Sequence, residues 1–213
     1  LGGVIDATGQ TISITTTLGG IGTPEAPLVI EGVRGLTLDS AADIHVRGGV
    51  SGLLIKEIAA QGSVMLEADG AFTAFANQRA RVSSGTGEID LRASDISSME
   101  LLAAAGKELT ARVAATRAQL YIGHDAGVRV LLDGVGILSG ELRSDGGLYI
   151  EETAETGALR LLAALEAENV TVRVPGALTL GGTAQAENID AQAGAITLDR
   201  VASLTAAKDV RLH

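Results

Sequence analysis

Residues 36–46 read Leu36-Thr37-Leu38-Asp39-Ser40-Ala41-Ala42-Asp43-Ile44-His45-Val46, and they hold one copy each of two apolar-x-apolar triplets that recur along the whole chain. The first series of triplets begins at Leu36, Leu53, Phe72, Ile89, Leu109, Val128, Leu148, Val170 and Ile189. The second begins at Leu28, Ile44, Val64, Val82, Met99, Leu120, Leu142, Leu159, Leu178 and Ile196. Both series advance by about nineteen residues per step, and self-similarity at a fixed period indicates a stacked repeat architecture.

Each triplet reads as a short β-strand with one buried face. The outer residues are aliphatic or Phe or Met and the middle residue is usually polar, as in Leu148-Tyr149-Ile150. Alternation with period two places one face in a core and the other in water. Glycine turns such as Gly48-Gly49 and Gly181-Gly182 separate the triplets, because glycine supplies the positive φ that tight turns need.

Short strands of this kind bury their apolar face when successive coils pair strand to strand in parallel. The sequence therefore predicts an all-β fold, a right-handed parallel β-helix or solenoid with about nineteen residues per coil and roughly eleven coils. We expect residues 1–213 to form a single β-helical segment, since no linker or shift of composition divides them. The positions expected to point inward are Leu36, Ile44, Leu53, Val64, Ile89, Val128, Leu148, Leu178 and Ile196, and those expected to point outward are Thr37, His45, Asp90, Arg129, Tyr149 and Thr179.

Two stretches favour helix by composition. Met99–Leu120 and Ala158–Glu168 are rich in Ala, Leu, Glu and Arg, which are good helix formers. The triplet series continues through both of them, and tertiary context commonly overrides weak propensity. We therefore predict strands in both stretches.

Composition excludes several classes of protein. The net charge of −10, from 26 acidic and 16 scattered basic residues, opposes binding to nucleic acid or to an anionic membrane surface. The absence of cysteine excludes disulfides and thiolate metal sites. No apolar run reaches the ~18 residues of a membrane-spanning helix, so no membrane insertion is expected. The chain starts and ends in mid-pattern, which predicts that it is a fragment of a much longer repeat protein.

One segment is more specific than the period. Ile21-Gly22-Thr23-Pro24-Glu25-Ala26-Pro27-Leu28 resembles the I-G-T-x-x-N-P-L turn of filamentous-haemagglutinin-like bacterial exoproteins, although Ala26 stands where that family usually has Asn. The Gly-x-Leu-Thr-Leu and Asp-Ile-x-Val units that follow, at residues 35–38, 43–46, 176–180 and 194–198, are similar to the stalk repeats of the same family. The resemblance implies a structural stalk or spacer of a large adhesin, secreted or at the bacterial cell surface. Its partners would be other segments of the same long chain, with a host-cell or matrix receptor bound elsewhere in the parent protein.

Candidate chemistry is sparse, and the paired carboxylates are predicted to be solvated turn residues. Histidines fall on different coils, and paired carboxylates occur in turns, where they could bind a cation or act as acid and base. These residues are His45, His124 with Asp125, His213, Glu151, Glu152, Glu155, Glu166 and Glu168. We predict no catalytic, cofactor-binding or metal-binding residue among them, and no required cofactor.

The alternative function is a polysaccharide-binding or polysaccharide-degrading β-helix module, similar to lyases or phage tailspikes. Arg173-Val174-Pro175 resembles the Arg-x-Pro turn of pectate lyases, but no aspartate cluster accompanies it. Sugar sites of this kind also use aromatic platforms, and the chain has two Phe, two Tyr and no Trp. We therefore predict that the protein is not an enzyme, and a cleft in which acidic and aromatic side chains converge would indicate the alternative.

Overall fold

The computed structural model describes residues 3–213, in which parallel β-strands form nearly all of the regular structure. The chain divides into two compact units, Leu1–Ala104 and Ala105–His213, and each is a β-solenoid. The solenoid turns number about 10, with about 20 residues each. The predicted fold class is therefore confirmed. None of the described residues lies in a helix long and apolar enough to span a bilayer.

The strands of the first unit are short and follow one another closely. They are β1 Gly3–Asp6, β2 Thr11–Thr16, β3 Leu28–Glu31, β4 Gly35–Ser40, β5 Ile44–Gly48, β6 Leu53–Ala60, β7 Val64–Ala68, β8 Phe72–Ala74, β9 Ala80–Ser84, β10 Glu88–Arg92 and β11 Asp95–Ala103. A single 3₁₀ turn, Phe75–Asn77, interrupts this part of the described chain between β8 and β9.

The second unit has the same organisation, and its last strands are longer. They are β12 Leu109–Ala114, β13 Arg117–His124, β14 Val128–Asp133, β15 Ile137–Ser144, β16 Gly147–Glu152, β17 Leu159–Leu161, β18 Ala164–Glu166, β19 Asn169–Leu180, β20 Thr183–Leu198 and β21 Ser203–Leu212. The two stretches of helical composition are thus strands, as predicted, since β11, β12, β13, β17 and β18 occupy them.

Successive coils pair in parallel, and the register reproduces the first triplet series in the second unit. Leu109, Val128, Leu148, Val170 and Ile189 lie opposite one another on five adjacent strands. A parallel pair offset by one residue would turn this apolar row to the solvent, so the register and the apolar row require each other.

The triplet series do not give the pairing at every step. Leu36 lies opposite Ile55 rather than Leu53, and in the second series Leu142 lies opposite Leu165 rather than Leu159.

The step from Phe72 to Ile89 in the first unit is wrong for a different reason. Phe72 pairs with Ile96, and Ile89 pairs with Val64, which lies 25 residues earlier. The coil between Val64 and Ile89 is long because it contains the 3₁₀ turn, where Ala76 has a φ of 54°. The triplets at Phe72 and Ile89 therefore stand on different strand columns of the solenoid, although their spacing fits the period.

The core is built from stacked aliphatic side chains. Eight of the nine positions predicted to point inward are buried, and the six positions predicted to point outward are partly or fully exposed. The exception is Ile196, which is only half-buried. Its strand segment pairs with β19 on one side, whereas β21 covers only residues 183–191 of β20 on the other side.

Glycine is required where coils bend closely against each other. Gly140 has a φ of +108°, and a Cβ placed on it would lie 1.9 Å from the carbonyl oxygen of Leu120. Gly52 has a φ of +72°, and its Cβ would lie 1.9 Å from the carbonyl oxygen of Ala71. Any other residue would have to move backbone at both places, so these two glycines allow the spacing between coils.

Candidate functional site

The buried polar side chains of the described chain lie where a coil turns, and they bond to the turn one coil earlier. They are Ser40, Ser84, His124, Ser144 and Glu152. Among the serines, Ser84 Oγ donates to the carbonyl of Gly62 at 2.8 Å, and Ser144 Oγ donates to that of Ala126 at 2.6 Å. Such bonds satisfy turn carbonyls that would otherwise be buried without a partner.

His124 occupies the same kind of position and braces a turn. It is 8% exposed, and its Nε2 bonds to the carbonyl oxygen of Lys107 one coil earlier. Its Nδ1 lies 3.5 Å from Asp125 Oδ1, and Asp125 accepts the backbone N–H of Gly106 at 3.2 Å. The candidate pair His124 and Asp125 therefore holds two turns together, and the ring has little access to solvent.

Glu152 is the most deeply buried carboxylate that the structure describes. It is 1% exposed, and it accepts the backbone N–H groups of Gly134 at 2.9 Å, Val135 at 3.1 Å and Ala154 at 2.9 Å. The prediction of a solvated turn residue is wrong at this position. The side chain closes its own turn and fixes the turn of the preceding coil, because a carboxylate can accept several amide donors.

The remaining acidic candidates lie at the surface. Glu155, Glu166 and Glu168 are exposed, and Glu151 is half-buried where it accepts the hydroxyl of Tyr149 at 2.9 Å. Of the other two histidines, His45 is half-buried on an outward position of β5. His213 Nε2 lies 3.2 Å from Asp190 Oδ1. Within residues 3–213 the structure brings together no group of three or more side chains that could hold a metal ion.

Tyr149 is the centre of a cluster on three adjacent coils. The guanidinium of Arg129, on the coil before, lies 4.7 Å from the ring centroid, and that of Arg173, on the coil after, lies 5.6 Å from it. Arg173 Nη1 also donates to the Tyr149 hydroxyl at 3.4 Å. These cation–π contacts connect one coil to the next, and they occupy the ring that a sugar platform would need.

Charged rows connect the coils of the first unit. Arg81 lies 4.0 Å from the carboxylate of Glu57 on the coil before and 3.5 Å from that of Glu100 on the coil after. Asp43 Oδ1 accepts the backbone N–H of Ser63 at 2.7 Å and its hydroxyl at 2.9 Å. The hydrogen bonds from Ser63 lower the pKa of Asp43, since they favour the charged carboxylate.

The second unit has a shallow polar trough of about 500 Å³. Its polar lining residues are Glu141, Arg143, Glu166, Thr183, Gln185, Ser203 and Thr205. An ion pair of 3.6 Å between Arg143 and Glu166 crosses from one coil to the next inside it. A separate depression of about 410 Å³ includes Arg173, Val174 and Pro175, the predicted lyase-like turn, beside Glu151 and His213.

The parallel stack of coils and the hydrogen bonds between the turns of successive coils define a β-solenoid repeat protein. No family model, no curated protein and no solved structure matches the chain.

Substitution of Glu152 tests whether its carboxylate stabilises the two turns that it contacts. We expect Glu152→Ala to lower the free energy of unfolding by about 3 kcal/mol, because three hydrogen bonds to a carboxylate are lost and the buried amide of Val135 is left without its acceptor. Glu151→Ala is the matched control and should change it by less than about 1 kcal/mol, since Glu151 is only half-buried and accepts the hydroxyl of Tyr149. Urea denaturation of the three chains measures the difference, and equal effects of the two substitutions would contradict the role given to Glu152.

The lowered pKa of Asp43 predicts a pH dependence. A carboxyl whose folded pKa is below its unfolded pKa stabilises the fold above the unfolded value, about 3.9, and this contribution is lost as the pH falls through the folded value. Thermal melts from neutral pH to about pH 2 should show that Asp43→Asn removes part of the acid dependence. Asp39→Asn, an exposed position on β4, is the control for the change of net charge. An Asp43→Asn chain with the acid dependence of the native protein would be the contrary result.

Proposed function

We propose that this chain is a structural spacer segment of a large adhesin, secreted or at the bacterial cell surface. The observation that supports the proposal is that buried and charged polar side chains contact a neighbouring coil. Ser84, His124, Ser144, Glu152 and Arg81 each make contacts from one coil to another. Side chains that could have supplied chemistry are therefore used to hold the stack together.

A stack of this kind provides length and stiffness. In a repeat protein each coil contacts only its neighbours, so outward residues are free to differ while the register is kept. Each additional coil adds about 4.8 Å, the distance between paired strands. These properties suit a segment that separates two other parts of a long protein.

The adhesin part of the proposal depends on the segment Ile21–Leu28. Ile21 is fully buried and bonds through its backbone to Asp43 and His45, and Gly22 has a φ of +69°. The backbone N–H of Ala26 donates to Thr23 O at 3.2 Å and to Thr23 Oγ1 at 3.1 Å. The turn therefore closes without the Asn that the resembled family usually has at this position.

The polar trough favours the alternative function, a polysaccharide-binding module. Thr183, Ser203 and Thr205 present hydroxyl groups on two adjacent coils, and Gln185 adds an amide between them. Hydroxyl and amide groups in a row can hydrogen-bond a chain of sugars. No aromatic side chain lines the trough within the described residues, so the stacking contact that commonly accompanies sugar binding is missing there.

Removal of one whole coil tests the spacer function. Asn169 pairs with Asn188, so deletion of residues 169–187 joins Glu168 to Asn188 and lets residues 188–192 take the places of residues 169–173 opposite β16. We expect this chain to keep its β-sheet circular dichroism and a cooperative melt, and to lose about 4.8 Å of length in solution scattering. Deletion of residues 169–177 alone is the control, because it leaves half a coil and should destroy the register.

Binding to polysaccharides separates the two functions. The spacer proposal predicts no saturable binding and no product release with a panel of neutral and acidic polysaccharides. Saturable binding that is lost when Thr183 and Gln185 are both replaced by Ala would support the alternative.

A coil-deleted chain that fails to fold would contradict the modular stack on which the spacer proposal depends.

A further inference from the structure

Three exposed arginines of the second unit have no acidic partner. They are Arg112 on β12, Arg129 on β14 and Arg173 on β19. Within residues 3–213 none of the three forms an ion pair, whereas several other arginines of the described chain do. Those paired with a carboxylate include Arg47, Arg81, Arg92, Arg143 and Arg211.

The stacking of coils brings these arginines onto one face. Arg129 lies opposite Tyr149 on the next strand, and Arg173 contacts the same tyrosine from the coil after it. Arg112 lies opposite Leu131, which follows Arg129 by two residues and so points to the same side of β14. Basic residues that are distant in the sequence are therefore collected on one surface of a chain with a net charge of −10. We call Arg112, Arg129, Leu131, Tyr149 and Arg173 the arginine face.

Tyr149 holds two of the guanidinium groups in place. The Arg129 guanidinium lies 4.7 Å from the ring centroid and that of Arg173 lies 5.6 Å from it. The Tyr149 hydroxyl accepts Arg173 Nη1 at 3.4 Å and donates to Glu151 Oε2 at 2.9 Å. Because these contacts already restrict the long side chains, a ligand that binds them has less side-chain entropy to offset.

The composition of the arginine face is typical of a protein-binding surface. Arginine and tyrosine are enriched at protein interfaces, whereas lysine and acidic residues are depleted there. Leu131 is half-buried at an outward position, between Arg112 on one neighbouring strand and Glu151 on the other. It offers an apolar contact next to the charged groups.

The chemistry of the guanidinium groups indicates the ligand. Each guanidinium has five N–H donors in a planar arrangement that fits a carboxylate with two parallel hydrogen bonds. A sugar chain lacks a free aromatic ring to stack on, because both arginines lie against the ring of Tyr149. The net charge of −10 opposes a nucleic acid, whose phosphates would approach the whole acidic chain.

We propose that the arginine face binds an acidic segment of another polypeptide. Aspartate or glutamate side chains of that segment accept hydrogen bonds from Arg112, Arg129 and Arg173, and one of its apolar side chains packs on Leu131. The inference does not depend on the spacer function, because it concerns one face of the second unit.

Titration with an acidic peptide tests the proposal. A short fluorescent peptide of glutamates around one leucine should bind the native chain saturably in fluorescence anisotropy, and the same peptide with Gln in place of every Glu should not. We expect Arg112→Gln with Arg173→Gln to weaken binding by about tenfold or more, since two charged donors to carboxylates are lost. Arg143→Gln with Arg160→Gln is the matched control, because it removes the same charge from exposed positions on β15 and β17. The control should bind like the native chain.

A single substitution keeps the test valid if the double variant melts at a lower temperature than the native chain. The described contacts of Tyr149 are with Arg129, Arg173 and Glu151, so Arg112→Gln leaves them intact and should still weaken binding by about threefold. Added salt should weaken binding to the native chain, because the contact is between exposed charges.

Four results would overturn the proposal. The first is a native chain without saturable binding of the peptide, and the second is equal weakening in the arginine-face variant and its control. The third is polygalacturonate that binds as tightly as the peptide, which would assign the face to an acidic polysaccharide. The fourth is self-association of the native chain that Arg112→Gln with Arg173→Gln abolishes, which would assign the face to a second copy.

Discussion

Parallel backbone pairing between successive coils is the constraint on which the rest of this structure depends. Val128 and Leu148 are buried because each lies opposite an apolar partner on the next strand. A shift of one residue would expose the whole row, so the pairing and the hydrophobic core cannot be changed separately. Gly52 and Gly140 allow the pairing to continue through bends where a side chain would collide with backbone one coil away.

The corners of the coils create a second requirement. Turns bring backbone carbonyl and amide groups close to the core, where each unpaired group destabilises the fold. Side chains form hydrogen bonds with these backbone groups. Ser84 and Ser144 use a hydroxyl, His124 uses its imidazole and Glu152 uses its carboxylate. Different side chains therefore form the same kind of hydrogen bond at equivalent turns. This explains why residues of types that are often catalytic here stabilise the contact between coils.

The sequence alone predicts the period, the strands and the buried face of each strand, because an alternation of apolar and polar residues indicates which side chains are buried. It was not sufficient for the step from Phe72 to Ile89, since a long coil and a change of strand column produced nearly the same spacing as a regular coil. Glu152 was misjudged because its type predicts exposure, although it lies two residues after Ile150 and so on the inward side. The same two-residue step from Leu142 to Ser144 and from Ile122 to His124 was a signal that could have identified the corner residues.

Disulfide trapping tests the coil-to-coil register most directly, because the native chain contains no cysteine. Thr110 and Arg129 face each other on β12 and β14, so Thr110→Cys with Arg129→Cys places two Cα atoms about 4.8 Å apart, within the range of roughly 4.4–6.8 Å that a disulfide requires. Thr110→Cys with Leu131→Cys is out of register by two residues, and its Cα atoms would be about 8 Å apart. We expect rapid disulfide formation on mild oxidation in the first pair and none in the second. Equal trapping of both pairs, or faster trapping of the second, would contradict the parallel register.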